Sequence, residues 1–510
     1  MMFAFNLLEE KWLPCVMTDN SLHDLSLRDV LLDAENVREI VGDSPPVTIA
    51  LHRLLLAILH RALYAPQSAA QWNEIREAKK FDRAKLETYF EKHKTRFDLF
   101  DENHPFYQSP SARENVQSGA IIQLYFQGKN NATLFEHSTV TAPKKLTAAE
   151  AARFLIAFQG FDFGGIKADG SAQTAPLLQS AIALIKGENL FETLLLNLHW
   201  YNSDDEEPFS FSYAKDLPAW ERDEETQAVE RSPNGYVDLL TWQARRIYLQ
   251  PERNENDEII VRNTVIMRGY SMPQTVGRYE KETMTAFRAS KIGGFFPVGF
   301  NESRALWRNS LSLLQTVDGE RSRPKMLDWL DDLVNDGFLN RSMSLPIEFY
   351  GLAADKAKLL FWQKENFDLP LAYLNDKTLL ELLKTALEFS QEIGDKLRDG
   401  VKKLADLLQT NTANFQAMPI YWSTLELKFQ RLLSDLPNKR EAAMREWFGE
   451  VLATADNAFE QTANSLSGSA AELKAMVEAR RLYGGLRYKT KEAPNFKIYL
   501  PETKTTGGNQ

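Results

Sequence analysis

Cysteine is all but missing from this 510-residue chain. Cys15 stands alone, which excludes a disulfide framework and every zinc or iron–sulfur site built on cysteine. Histidine is sparse as well. His23, His52, His60, His93, His104, His137 and His199 form no HExxH or other paired motif, so neither a metal nor any other cofactor is expected. No stretch of about 18 residues is free of charge, and the first residues lack the basic-then-apolar order of a secretion signal. The expectation is therefore a cytoplasmic chain with no membrane partner. No GxxxxGK(S/T) phosphate loop and no GxSxG elbow occurs. Positive charge is not in excess either: 60 Lys and Arg face 70 Asp and Glu, a net charge of −10. That argues against a protein coated in nucleic acid but leaves room for local basic patches.

What is present is ordinary globular composition, 44% hydrophobic and 25% charged, long enough for two to four domains at roughly 150 residues each. Phe5–Leu8 and Trp12–Met17 read as a strand pair turning at Glu9-Glu10. Pro46–Tyr64 is apolar nearly all round and predicts a buried helix. Glu74–His93 and Ala148–Phe158 read as further helices, with loops at Asn103–Gln108 and Gly128–His137. Gly235–Gln250 alternates and is rich in aromatics, suggesting strand; Pro251–Asp257 is a turn before a second strand, Glu258–Met267. Pro346–Tyr350 is another strand candidate, ending at Gly351.

Beyond Pro370 the apolar period becomes helical. Leu379, Leu382, Ala386, Phe389, Ile393, Leu397, Val401, Leu404 and Leu408 form one stripe. Helical segments at Tyr421–Leu436, Lys439–Leu466 and Ala470–Tyr483 follow, four helices in all. The expected class is α+β: a large mixed α/β N-terminal domain over 1–365, then a C-terminal four-helix bundle over 366–510.

Three groups of residues could carry chemistry. Arg53 and His60 lie seven apart on one helix face, a spacing similar to the catalytic pair of HEPN-type ribonucleases; the plainer reading is two polar side chains held by their neighbours. Gly160–Gly170 sets Phe161, Phe163, Gly164, Gly165 and Lys167 close together. Paired glycines let a backbone approach a ligand closely and a lysine supplies charge for phosphate, though the same residues also suit a structural turn. Arg480, Arg481, Arg487 and Lys489, interleaved with Tyr483 and Tyr488, suit a nucleic-acid backbone or a solvated helix face.

Seven segments taken together go further. FNLLEEKWLPC at Phe5–Cys15, HPFYQ at His104–Gln108, NNATLFEH at Asn130–His137 and FGGIKADGSAQTAPL at Phe163–Leu177 come first. LPAWER at Leu217–Arg222, GYVDLLTWQARRIYL at Gly235–Leu249 and YGLAADKAK at Tyr350–Lys358 follow. In this order they resemble the CasA family, the large subunit of the type I-E CRISPR surveillance complex, Cascade.

The resemblance implies a non-enzymatic subunit whose partners are double-stranded target DNA at the PAM, the 5′ end of the crRNA, other Cascade subunits and a helicase–nuclease. It implies that Phe163, Gly164 and Gly165 form the family's glycine-rich loop, which meets the PAM from the minor groove. A groove about 6 Å wide admits a backbone free of side chains. The family's aromatic loop, which touches the crRNA and neighbouring subunits, falls on Asn130, Asn131 and Phe135. Its hairpin wedge falls on Ala354-Asp355-Lys356, where Lys356 stands in place of the family's glutamine. A lysine can enter a minor groove, whereas an aspartate beside phosphates is repulsive. No lysine matches the family's further PAM-reaching lysine; Arg268 is the nearest cation. The alternative function is a HEPN-like ribonuclease using Arg53 and His60.

Overall fold

A computed structural model describes residues 3–114, 119–120, 144–163, 174–199, 212–273, 282–289, 295–301, 305–314, 321–355, 358–466 and 468–500. The chain divides into two units. The first comprises Met1–Leu306, Gln315–Asn340 and Leu345–Asn366; the second comprises Trp307–Leu314, Arg341–Ser344 and Phe367–Gln510.

In the first unit, β1 (Leu13–Met17) lies between β2 (Leu22–Leu25) and β3 (Val37–Ile40), both antiparallel to it. The expected partner, Phe5–Leu8, is not a strand. Asn6 makes only an isolated bridge to Asp98, and Trp12 turns its indole N–H back onto the Leu7 carbonyl. Helix α1 (Pro45–Leu63) opens on a proline pair, whose fixed φ suits a first turn, and closes at Tyr64 in the left-handed region. It is long and apolar enough to cross a membrane, yet its apolar window is wholly buried in the protein. It is a core helix.

The expected helix Glu74–His93 is two: α2 (Ala69–Ala78) and α3 (Arg83–His93). Lys79 takes a left-handed φ of 54°, and the Asp82 carboxylate accepts from the Lys85 amide to start the second helix. Local capping wins over the continuous periodicity.

The strand β4 (Leu146–Thr147) leads into α4 (Ala148–Phe161), whose N-terminus carries a reciprocal capping box between Thr147 and Glu150. Strand β5 (Ile182–Ile185) follows. The start of the alternating Gly235–Gln250 stretch is not strand but a short helix, α5 (Tyr236–Leu240), because the Asp216 carboxylate accepts from the amides of Val237 (3.0 Å) and Asp238 (2.7 Å). A Cβ at Gly235 would lie 2.3 Å from Asp216 Cγ, so the cap and the glycine require each other.

Strand pairing starts at Arg245. β6 (Arg245–Arg253) runs antiparallel to β7 (Ile259–Arg268) along its whole length and passes through Pro251 with a register shift. The turn is confined to Asn254–Glu258, with Asp257 at φ 63°. β8 (Ser344–Asp355) pairs with β5 and with β9 (Lys358–Pro370), in the order β9-β8-β5. Gly351 does not end this strand. Its missing Cβ admits the Ser180 carbonyl, which would lie 2.4 Å from one.

The second unit is helical: α6 (Lys377–Leu407), α7 (Ala417–Asp435), α8 (Arg440–Asn464) and α9 (Ala470–Lys491). Seven of the nine stripe positions on α6 are buried; Leu382 and Leu408 sit at its rim. Phe389 stacks on Phe448 at 3.9 Å between ring centroids. Trp307 packs against Trp422, Phe429 and Trp447, which draws Trp307–Leu314 into this unit ahead of its place in the chain.

Candidate nucleic-acid interface

The glycine-rich segment springs from a closed neck at the end of α4. The Asp162 amide donates to Phe158 O, and the returning chain closes on the outgoing one through Ala175 N to Asp162 O (3.0 Å) and Leu177 N to Gly160 O (2.8 Å). Gly160 has Leu177 against it, 3.1 Å from where a Cβ would stand. The neck is tied to β6 by side chains. Gln159 bridges Arg245 twice, donating from Nε2 to its carbonyl (3.1 Å) and accepting its amide at Oε1 (2.9 Å). Asp162 Oδ2 takes Arg245 Nε at 2.5 Å, with both side chains buried. Phe163, expected at the DNA, is also buried, and its ring anchors the neck in the core. Gly164, Gly165 and Lys167 lie outside the described residues.

The segment carrying Asn130, Asn131 and Phe135 likewise lies outside them, but its two roots are described. Gly119 and Ala120 pair with Thr264 and Asn263, and Leu146 and Thr147 pair with Val261 and Ile260. Both roots therefore sit on β7. Arg268, at the end of that strand, is directly opposite Arg245 in the β6–β7 register. Its Nη2 donates to Ser271 Oγ at 3.0 Å, and its carbonyl accepts Arg246 Nε at 2.9 Å. The structure thus brings Arg268 beside the neck of the glycine-rich segment. Asp355 is the last residue of β8, where the hairpin turns; Lys356 falls outside the described residues.

The C-terminal cations split into two kinds. Arg480 pairs with Glu460, and Arg487 Nη2 meets Asp456 Oδ2 at 2.6 Å, with the Tyr483 hydroxyl on the other oxygen of Asp456 (3.0 Å). Arg481 and Lys489 are exposed.

Arg53 and His60 share a face of α1, but both are buried. Arg53 is held by Glu282 through Nη1 (2.8 Å) and Nη2 (3.0 Å), and His60 packs edge-on to Tyr236 at 5.0 Å. Burial, then His199, pushes the His60 imidazole well below its usual range. Neither group is placed to meet an RNA phosphate, and the arginine's charge is already neutralised; the pair is a core feature rather than a ribonuclease centre. Among the described residues no cluster of His, Cys, Asp or Glu could hold a metal ion.

Three of the quoted segments converge where sequence reasoning placed no site. Phe106 stacks on Phe97 and Trp220 (5.4 and 5.7 Å), tying HPFYQ to LPAWER. Gln108 Nε2 donates to Leu99 O and its Oε1 accepts from Leu249 N. Arg61 and Glu221 form a buried pair that also takes the Tyr89 hydroxyl, and Arg222 meets Asp238 at 3.0 Å. These motifs are the framework behind the loops.

The profile of the family described as CRISPR-associated protein Cse1 matches residues 6–458. The chain belongs to the Cse1 family. It is 28% identical over 512 residues to the CRISPR-associated protein CasA/Cse1 of Thermus thermophilus, covering 94% of this chain and 97% of that one. The solved structure of Thermus thermophilus CasA (Cse1) superposes with a TM-score of 0.79 at 26% identity, covering 94% of this chain and 99% of that one. The fold is also that of a chain in a CRISPR RNA-guided surveillance complex, with a TM-score of 0.76 at 21% identity over 94% of this chain and 99% of that one. Cse1 membership spans both units, since the matched residues end inside α8.

Proposed function

We propose that this Cse1-family chain is the large subunit of an RNA-guided CRISPR surveillance complex, Cascade, in antiviral defence. In this reading it has no catalytic centre of its own. It recognises the PAM in duplex DNA, helps open the duplex beside it, contacts the 5′ end of the crRNA, and recruits the helicase–nuclease.

The observation that carries the reading is the family match over residues 6–458, which takes in six of the seven motif segments whole and the first from Asn6 onward. The neck geometry supports the part given to Gly164. A backbone probe of the minor groove works only if its ends are fixed, and here they are fixed by two backbone hydrogen bonds and a buried ion pair. Readout in that groove is degenerate, so several related PAMs are expected to be accepted. Opening the first base-pair step costs about 1.4 kcal/mol of stacking, a sum that one inserted side chain and a few phosphate contacts can offset. The hairpin end at Asp355-Lys356 is placed in that role, with Arg268 as a supporting cation.

The test is target-duplex binding by Cascade reconstituted with and without this chain over a library of PAM trinucleotides. The expected result is binding that requires the chain and ranks the PAMs, and that Gly164→Trp abolishes while assembly persists. Binding indifferent to the chain would overturn the reading.

A further inference from the structure

Helix α9 buries one face through Ala475, Ala479, Tyr483 and Thr490. The opposite face exposes Val477 at 62% and Tyr488 at 60%. At 100° per residue, positions 477, 481, 484 and 488 share one stripe along this face. Gly484 lies in it and Gly485 borders it, 100° further round, deep within a 22-residue helix, where glycine is the poorest choice after proline. At two positions on α6 the packing explains a helical glycine: a Cβ at Gly394 would lie 2.7 Å from Trp422, and one at Gly400 would lie 2.8 Å from Tyr483 Cβ, whereas the lone Gly449 of α8 has nothing within 4 Å. Around Gly484 and Gly485 there is nothing within 4 Å. The result is a notch in the side-chain layer that lays the helix backbone open.

The charges around the notch are predominantly positive. Lys474, Arg481, Lys489 and Lys491 have no ion-pair partner among the described residues, whereas Arg480 and Arg487 on the same helix are paired with Glu460 and Asp456. Glu478 is the exposed carboxylate among them. On a chain whose net charge is −10, a locally cationic face complements a polyanion. Tyr488 offers an open ring, and the stacked bases of a duplex have no free face for it. An unpaired base does.

We propose that this face of α9 binds single-stranded nucleic acid. Arg481 and Lys489 straddle the notch about 12 Å apart along the helix. They hold the phosphates, the strand backbone crosses Gly484-Gly485, and one base stacks on Tyr488. The site is separate from the PAM-reading loops and stands or falls without them.

The test is fluorescence anisotropy of labelled oligodeoxythymidylate and oligouridylate on the full chain across a salt series. Two or three phosphate contacts predict a slope of log K on log salt of about −1.4 to −2.1. Arg481→Glu with Lys489→Glu should flatten that slope. Tyr488→Ala should weaken binding by about tenfold. Gly484→Gln and Gly485→Gln fill the notch with better helix formers, so they should weaken binding while the circular dichroism spectrum is retained. Tighter binding of one oligonucleotide names the strand type. Parent-like binding by the charge-reversal and glutamine variants would overturn the proposal, as would no binding by the parent at low salt. So would a photo-crosslinker at position 485 in assembled Cascade that captures a protein subunit and no strand.

Discussion

Asp162 and Arg245 form an ion pair with essentially no solvent contact, the arginine side chain at 0% exposure and the aspartate at 4%. One belongs to the end of α4 and the other to the first residue of β6. The pair therefore welds the neck of the glycine-rich segment to the sheet that also carries the roots of the segment with Phe135. A buried pair adds little net stability over a well-packed apolar one, but breaking it leaves a bare charge in the interior.

Asp162→Ala is accordingly expected to cost about 3–5 kcal/mol. Asp162→Ala combined with Arg245→Met should recover a large part of that loss, because no charge is then stranded. Urea denaturation of the two variants checks this; a double variant no better than the single would refute it.

Acid should weaken the first unit. Burial pushes His199 down to about 4, and burial followed by Lys186 does the same to His52; His60 lies well below its usual range. Unfolded histidine titrates near pH 6.5, at about the ordinary value. Because the folded values lie lower, these groups contribute stability that is fully present above about pH 6.5 and is lost as pH falls toward 4, at up to about 1.4 kcal/mol per pH unit for each. Asp332 acts in the opposite sense. Burial, then Asp331, lifts it to about 6, so its protonation favours the folded chain below that pH. Three histidines outweigh one carboxylate. Urea midpoints should fall between neutral and mildly acidic pH, and His199→Phe should make the fall shallower; a flat profile would contradict it.

The glycines of the helical unit should respond in opposite directions to alanine. Gly485→Ala is expected to stabilise by about 1 kcal/mol, since its Cβ meets open space. Gly400→Ala forces a contact at 2.8 Å from Tyr483 Cβ and should destabilise by about 1–3 kcal/mol. Thermal melts of both variants give the comparison.

Gly235→Ala should displace Asp216 from the start of α5, at a cost of about 0.5–2 kcal/mol for the lost cap. Asp216→Ala removes the same cap. Combining the two should therefore cost less than the sum of the singles, a non-additivity that a double-mutant cycle measures directly.

These cases show what the sequence could and could not disclose. Period alone located α1 and the stripe of α6, because both helices bury a continuous apolar face. It failed at Lys79-Asp82 and at Gly235, where a single carboxylate cap outweighs ten residues of pattern and, in the second case, comes from another part of the chain. Phe163 shows a different limit. An aromatic beside two glycines suits a ligand contact and a core anchor equally well, and its burial follows from a neck closed by Ala175 and Leu177. Arg245, the residue on which the neck turns, sits inside a quoted motif but carries no signal of its own: its partners are 83 and 86 positions away.

Gly119–Ala120 and Leu146–Thr147 are both stitched to β7, and Arg245 on its hairpin partner grips the base of the glycine-rich segment. Any tension delivered through residues 121–145 or through residues 164–173 thus arrives at one two-stranded ribbon, which makes that ribbon the common mechanical mount of both segments.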